Sequence, residues 1–421
     1  MFENMVKKKV DGLELTQTDF YVIIDMMMQK GISKDMLKIF VALDSFGMTA
    51  KEVLYLAKAL RDSGKIEESD EFYFDKHSTG GVADSSSVVL VPLLSSLGYK
   101  IVKTTTESFK FTNGSADRFK SIPNFKFLNN KEDILSNLAK NNACVAYRND
   151  KICPADKILR KLQILAGIES NVDLMAASIA AKKLSSGAKA VLVDVKYGKG
   201  AIVQEIAKAN RLVKLLKYVF DKCGIKSVVV LTKTSQTVGR SVGNAIELTE
   251  AVKTLKGEKC ALRDLSVLYA TELIKAANPK YSRSEISKQV NNAIDSGNAF
   301  NQFVNIVNSQ GGDSEKVKNE ELFTPYKKKN FIASKSGYVG NINPYVYGEI
   351  LNRICKNTHD NNIGITVNVK IGDYVKAGDV VLTFYYKDEK DLERYEEALA
   401  GSVRLTKSKI KPIKIVRKVV R

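Results

Sequence analysis

The stretch FDKHSTGGVADSSSVVLVPLLSSLG, residues 74–98, decides how this chain is read. A β-type run at 71–75 leads into a loop of small residues at 76–87. The apolar segment VVLVPLLSSLG (88–98) then reads as a buried helix closed by Gly98. A strand, a Gly-Gly loop and a helix in that order bring backbone N–H groups to a helix N-terminus, where an anion meets partial positive charge. Lys76, Ser78 and Ser87 add one cation and two hydroxyl donors, the groups a phosphate takes. The spacing G-x-x-x-x-G-K-[ST] is absent from this loop, which argues against a nucleotide triphosphatase. On these residues alone, phosphate binding and an ordinary tight turn both stay open.

Outward from this stretch, strands and helices alternate. YKIVKTTT (99–106), AKAVLVDVKYGKGA (188–201) and SVVVLTKT (227–234) read as strands. Helical blocks are expected at about 156–186, 201–222 and 244–255. Alternation of this kind predicts a mostly parallel α/β sheet. Before it, the first seventy residues read as helices. Thr16 and Ser33 stand as candidate N-caps, and Thr49 precedes a stripe of Val53, Leu54, Leu56, Ala57 and Leu60 that ends at Gly64. The last eighty-five residues change character to short β-type runs with Gly-Asp turns.

The composition bounds the function classes. With 421 residues the chain can bury a large core, and its 44% hydrophobic and 27% charged residues are those of a globular protein. No apolar run approaches the roughly 20 residues of a membrane span, and the start MFENMVKKKVDGLELTQ lacks an apolar signal core. Five scattered cysteines without a C-x-x-C pair read as reduced thiols, so a cytoplasmic protein is expected. The formal charge of +19 is unusual, yet its lysines are spread along the chain with no Arg-rich or aromatic-interleaved pattern. Such charge alone supports weak, salt-sensitive association, and specific nucleic-acid binding is not expected.

KHSTGGVAD (76–84) closely resembles the phosphate loop of thymidine and pyrimidine-nucleoside phosphorylases, and the resemblance continues in order. AKALRDSG (57–64), DRFKSIPNF (117–125), PADK (154–157), SIAAKKL (178–184), VDVKYGKGA (193–201), SQTVGRSVGNAIELTEAV (235–252) and KIGDYVKAGDVVLTFYY (370–386) are each similar to a segment of that family. The resemblance implies an α/β protein: a helical domain (1–66 with 155–187) across a cleft from a larger mixed α/β domain (70–150 with 188–325), with a small C-terminal α+β domain (335–421). It implies a homodimer. It also implies phosphorolysis of pyrimidine (deoxy)ribonucleosides, in which phosphate attacks C1′ and releases base and pentose 1-phosphate. No cofactor is required for that reaction.

By the same resemblance, Lys76, Ser78, Ser87, Lys103, Thr105 and Ser115 fall at phosphate-binding positions. His77 and Lys182 fall at catalytic ones, and Gln163, Ser178 and Lys182 at nucleoside-binding ones. Ser178 and Lys182, spaced i and i+4, share a helix face. Some family members hold a monovalent cation, usually potassium, and the matching positions are Ala83, Ser85, Val238, Ser241 and Glu250.

Two departures bear on turnover. The run TTESFKFTNGS (105–115) lacks several of the family's glycines, with Glu107 for an Arg and Phe111 for a His. Gln163 stands at the family's base-binding Arg; an amide donates a hydrogen bond but brings no charge. Arg160, one helical turn earlier, is a candidate replacement. A catalytically weakened paralogue that binds phosphate or nucleoside without efficient turnover is the alternative. A phosphoribosyltransferase would require a GTGGD loop and a metal-binding acidic pair, whereas this chain reads STGGVAD (78–84).

Overall fold

The computed structural model describes residues 2–66, 71–106, 110–147, 151–358 and 360–421; Glu107 and His359 lie outside them. Thr16 and Thr49 close capping boxes at the N-termini of helices Gln17–Lys30 and Ala50–Asp62, and the Ser33 hydroxyl caps Lys34–Phe46. Each such cap stabilises its helix by about 1 kcal/mol. The stripe from Val53 to Leu60 is buried, as its spacing implies. Against these helices pack Pro154–Ala166 and Val172–Ser185. The block expected at 156–186 is therefore two helices. Gly167 ends the first in a left-handed conformation (φ +69°), and the Asn171 side chain caps the second.

Five parallel strands form the centre: β1 (Phe74–Ser78), β2 (Ile101–Thr105), β3 (Ala143–Tyr147), β4 (Ala190–Tyr197) and β5 (Lys226–Lys233), in the order β5-β4-β1-β2-β3. Every residue of β4 is buried, which accounts for its apolar run AVLVDVKY. The chain winds from β1 to β3 toward one edge and then returns to the other side of β1 for β4 and β5. Strand order therefore reverses at β1, and α/β sheets bind ligands outside the carboxyl ends of strands at such a reversal. Lys76, His77 and Ser78 stand at that end of β1.

Local boundaries differ from the sequence expectation at three places. Lys76–Ser78 belong to β1 and not to the loop, because their backbones pair with Leu192–Asp194 of β4. The helix expected from 201 begins at Ile206. The chain end leaves the C-terminal domain altogether, and Val416–Val420 adds antiparallel to β5, covering an edge that would otherwise present unpaired N–H and C=O groups. In the reverse sense Ser241–Val242, from the segment after β5, pairs with Gly364–Val367 of the C-terminal strands. Those strands and helices Pro344–Thr358 and Glu389–Ala400 enclose their own core, including Leu351, Ile365, Leu382 and Phe384. No helix among the described residues is long and apolar enough to cross a membrane.

Candidate active site

A cavity of about 290 Å³ opens at the carboxyl ends of β1 and β2, between the sheet and the helices Pro154–Ala166 and Val172–Ser185. His77, Ser78, Ser87, Lys103, Thr105, Ser115, Gln163, Ser178 and Lys182 all line it. Residues far apart in the chain are thus brought to one space. Lys76 does not line it. Alternation along β1 sends Lys76 and His77 to opposite faces of the sheet. The Lys76 ammonium turns under the loop, 3.3 Å from Asp84 and 3.1 Å from the Ser86 hydroxyl, and lies over the Tyr269 ring.

The loop is shaped from below. Lys196, fully buried on β4, reaches the Asp194 carboxylate at 2.7 Å and Asp84 at 3.5 Å. Burial would raise the Asp84 carboxyl, but the Lys196 and Lys76 ammoniums outweigh it and hold the group well below the usual carboxylate range. The Lys196 stem passes so close to Gly81 that a Cβ there would collide with its Cδ. Gly80 takes φ +95°, and a side chain on it would strike Ile202. Both glycines are therefore required by contact and conformation. Ala83, where the resembling loop has glycine, is held at φ +58°, a left-handed conformation that costs an L-residue about 1–2 kcal/mol.

On the sheet side, Ser87 sits in the first turn of Ser86–Ser96, so that this helix N-terminus, a place suited to an anion, faces the cavity. Lys103 lies on β2 with its ammonium donating to the Lys76 and Thr104 carbonyls at 3.0 Å. Burial, with the Lys183 and Lys76 charges, lowers its pKa to about 7, against the pull of Asp75.

Across the cavity, helix Val172–Ser185 presents Ser178 and Lys182 on one face, as their spacing implies. The Lys182 ammonium donates to the Ser178 hydroxyl at 2.8 Å and to Asp156 at 3.2 Å, and Ser178 itself donates to Asp156. Asp156, only 1% exposed at the first turn of Pro154–Ala166, thus orients both groups. The sequence motif PADK contains this aspartate without disclosing its role; an acid in the first turn of a helix reads as a cap until its partners are placed. Burial, then the Lys183, Lys182, Lys103 and Lys76 charges, pushes the His77 imidazole well below its usual range. His77 is therefore neutral and can donate a hydrogen bond while being a poor source of a proton.

Gln163, 8% exposed, and Arg160 both line the cavity from the same helix face. Ordinary helical geometry in Pro154–Ala166 brings a guanidinium within reach of the space that an Arg at 163 would serve. The eroded run is held in place by other means. Arg118 donates to the Asn113 and Gly114 carbonyls and pairs with buried Glu247 at 2.6 Å, while Phe111 stacks edge-on against Tyr345 of the C-terminal domain. Lys110 pairs with Glu169 at 3.3 Å; Glu107 is outside the described residues.

Three of the residues matched to a cation site already have hydrogen-bond partners. The Ser85 hydroxyl donates to Glu247, and the Glu250 carboxylate accepts the Arg240 and Ser241 N–H groups. The Val238 carbonyl accepts from the Lys370 ammonium.

The chain is similar to known proteins over most of its length. Residues 70–300 match the model of the glycosyl transferase family, a/b domain, and residues 353–406 match the pyrimidine nucleoside phosphorylase C-terminal domain. The chain is 29% identical over 415 residues to a pyrimidine-nucleoside phosphorylase of Geobacillus stearothermophilus, covering 96% of each chain. It is 31% identical over 353 residues to that of Staphylococcus haemolyticus (strain JCSC1435), covering 81% of this chain and 82% of the relative. In fold, it is similar to anthranilate phosphoribosyltransferase from Thermus thermophilus. The TM-score is 0.59 at 17% identity, over 73% of this chain and 99% of that one.

Proposed function

Because the chain belongs to the pyrimidine-nucleoside phosphorylase family, we propose that it is a pentosyltransferase that phosphorolyses pyrimidine (deoxy)ribonucleosides to free base and pentose 1-phosphate. The observation that carries this reading is the single cavity with anion donors on its sheet side and the Ser178–Lys182–Asp156 cluster facing them. A phosphate held by Lys103, Ser87, Thr105, Ser115 and the loop N–H groups is positioned to attack C1′. As the new C1′–O bond forms, the C1′–N1 bond breaks and its electron pair passes into the base. The Lys182 ammonium, the Ser178 hydroxyl and a neutral His77 N–H stabilise that growing charge at the base oxygens, where preorganised donors act most strongly. Uridine, thymidine and deoxyuridine incubated with protein and phosphate should each be assayed for released base. Release of none, with calorimetric phosphate binding retained, would leave only the weakened paralogue that Gln163 suggests.

Lys103 makes phosphate binding proton-linked. With its pKa near 7, the empty site holds it mostly neutral at about pH 8, and a phosphate dianion favours the charged ammonium. Phosphate binding is expected to take up close to one proton at about pH 8, where the free ligand is already the dianion, and to release protons at about pH 6, where Lys103 is already charged and the ligand enters from its monoanion. Calorimetry in two buffers of different ionisation enthalpy measures this. Uptake near zero at the higher pH would remove Lys103 from the phosphate site.

A cytoplasmic homodimer fits the reading. Helices Phe2–Val10, Lys34–Phe46 and Pro154–Ala166 expose Val10, Val41, Phe46, Ile164 and Leu165, the last 68% accessible. The first and third of these helices pack against the second; exposed apolar side chains on neighbouring helices suit an interaction face, and we assign it to a second copy of the chain. Leu165→Glu is expected to yield monomers by light scattering; a wild-type monomer at micromolar concentration would refute the assignment.

A further inference from the structure

Lys370 lies in the Gly-Asp turn segment of the C-terminal domain, yet its ammonium is committed to another part of the chain. It donates to the Thr237 carbonyl at 2.8 Å, to the Val238 carbonyl at 3.2 Å, to the Gly239 carbonyl, and to the Thr237 hydroxyl at 3.3 Å. Three successive carbonyls turned to one centre is the arrangement that a backbone offers to a cation, since peptide oxygens replace its hydration shell. The Thr237 hydroxyl in turn donates to the Gly239 carbonyl, closing the loop on itself.

The surroundings place this centre at a seam. Ser241–Val242 pairs with the C-terminal strand Gly364–Val367, the Ile371 N–H donates to Gln236 at 2.8 Å, and the Val367 N–H donates to the Arg240 carbonyl at 2.7 Å. Glu250, from helix Asn244–Leu255, holds the same loop through the Arg240 and Ser241 N–H groups. A positive charge among these oxygens ties the loop after β5 to the C-terminal domain.

We propose that the Lys370 ammonium is a built-in substitute for a bound monovalent cation, so that the chain keeps this seam closed without potassium. An ammonium is a compact charge with three donors on a flexible stem, and the three carbonyls match those donors; burial lowers its pKa to about 8, which leaves it charged at neutral pH. Of the positions matched to a cation, the Val238 carbonyl then accepts from Lys370 and the Glu250 carboxylate from two backbone N–H groups.

The test compares the full-length protein in potassium chloride and in tetramethylammonium chloride at equal ionic strength, reading the melting temperature and the binding of thallium(I) by its NMR shift. Wild-type protein is expected to melt at the same temperature in both salts and to show no saturable thallium shift. Lys370→Met, which keeps the stem and removes the charge, is expected to melt lower and to regain about 3 °C on potassium addition, saturably and not with tetramethylammonium. A saturable stabilisation of the wild type by potassium, or a saturable thallium shift, overturns the proposal. So does a folded Lys370→Met protein that is indifferent to potassium. If Lys370→Met does not fold in either salt, the wild-type measurements decide alone. None of these readouts depends on catalytic turnover.

Discussion

Lys182→Met is expected to lower kcat/KM for phosphorolysis by about 10²–10³, or roughly 3–4 kcal/mol of transition-state stabilisation, the usual loss for one well-placed donor to a developing anion. The side chain lines the cavity 2.8 Å from Ser178, and in the proposed reaction its charge faces the departing base. The loss should fall on kcat, because that charge exists only in the transition state. Phosphate affinity, which the proposed reaction assigns to Lys103 and the helix N-terminus at Ser87 across the cavity, should change little. Asp156→Asn provides the companion measurement. It keeps the shape and removes the charge that orients both Ser178 and Lys182, so a smaller fall in kcat is expected with phosphate binding intact. A Lys182→Met enzyme with unchanged kcat would show that the base is stabilised elsewhere.

Arg160→Ala is expected to reduce kcat/KM by about 10²-fold, provided that this guanidinium supplies the charge that Gln163 cannot. The two residues lie one turn apart on Pro154–Ala166 and line the same cavity. Arg160 is exposed to solvent at the cavity edge, so its effect depends on water leaving when substrate binds. The double variant Arg160→Ala with Gln163→Arg should recover much of the loss, since it moves the cation to the neighbouring position. Full activity of the single variant would rule the compensation out. Loss without recovery in the double variant would give Arg160 a role tied to its own position.

Much of the local structure around the cavity was legible in the sequence, and the reason is local chemistry. Helix starts at Thr16, Ser33 and Thr49 depend on side chains reaching N–H groups three residues away, and all three caps form. The i, i+4 pair Ser178 and Lys182 needed only helical spacing to share a face. The glycines of the loop announced a close approach, although not that the Lys196 stem makes it. Less legible was β1: Lys76, His77 and Ser78 are polar, and polar residues before Gly-Gly read as loop. Burial of the Lys76 ammonium is made tolerable by Asp84 and Ser86, and His77 is accommodated among neighbouring lysines by staying uncharged.

The order of strands and helices was therefore determined by the sequence itself, through periodicity and short-range caps, and the family by the ordered run of segments similar to its members. Tertiary structure alone decided the charge states and partnerships. It turned Lys76 under the loop, neutralised His77 among four lysines, and set Asp156 behind Ser178 and Lys182. It also carried Lys370 to three carbonyls more than 130 positions away along the chain, and Val416–Val420 back to β5. Such pairings depend on desolvation and on contacts between segments far apart in the chain, and neither quantity is written in any local pattern.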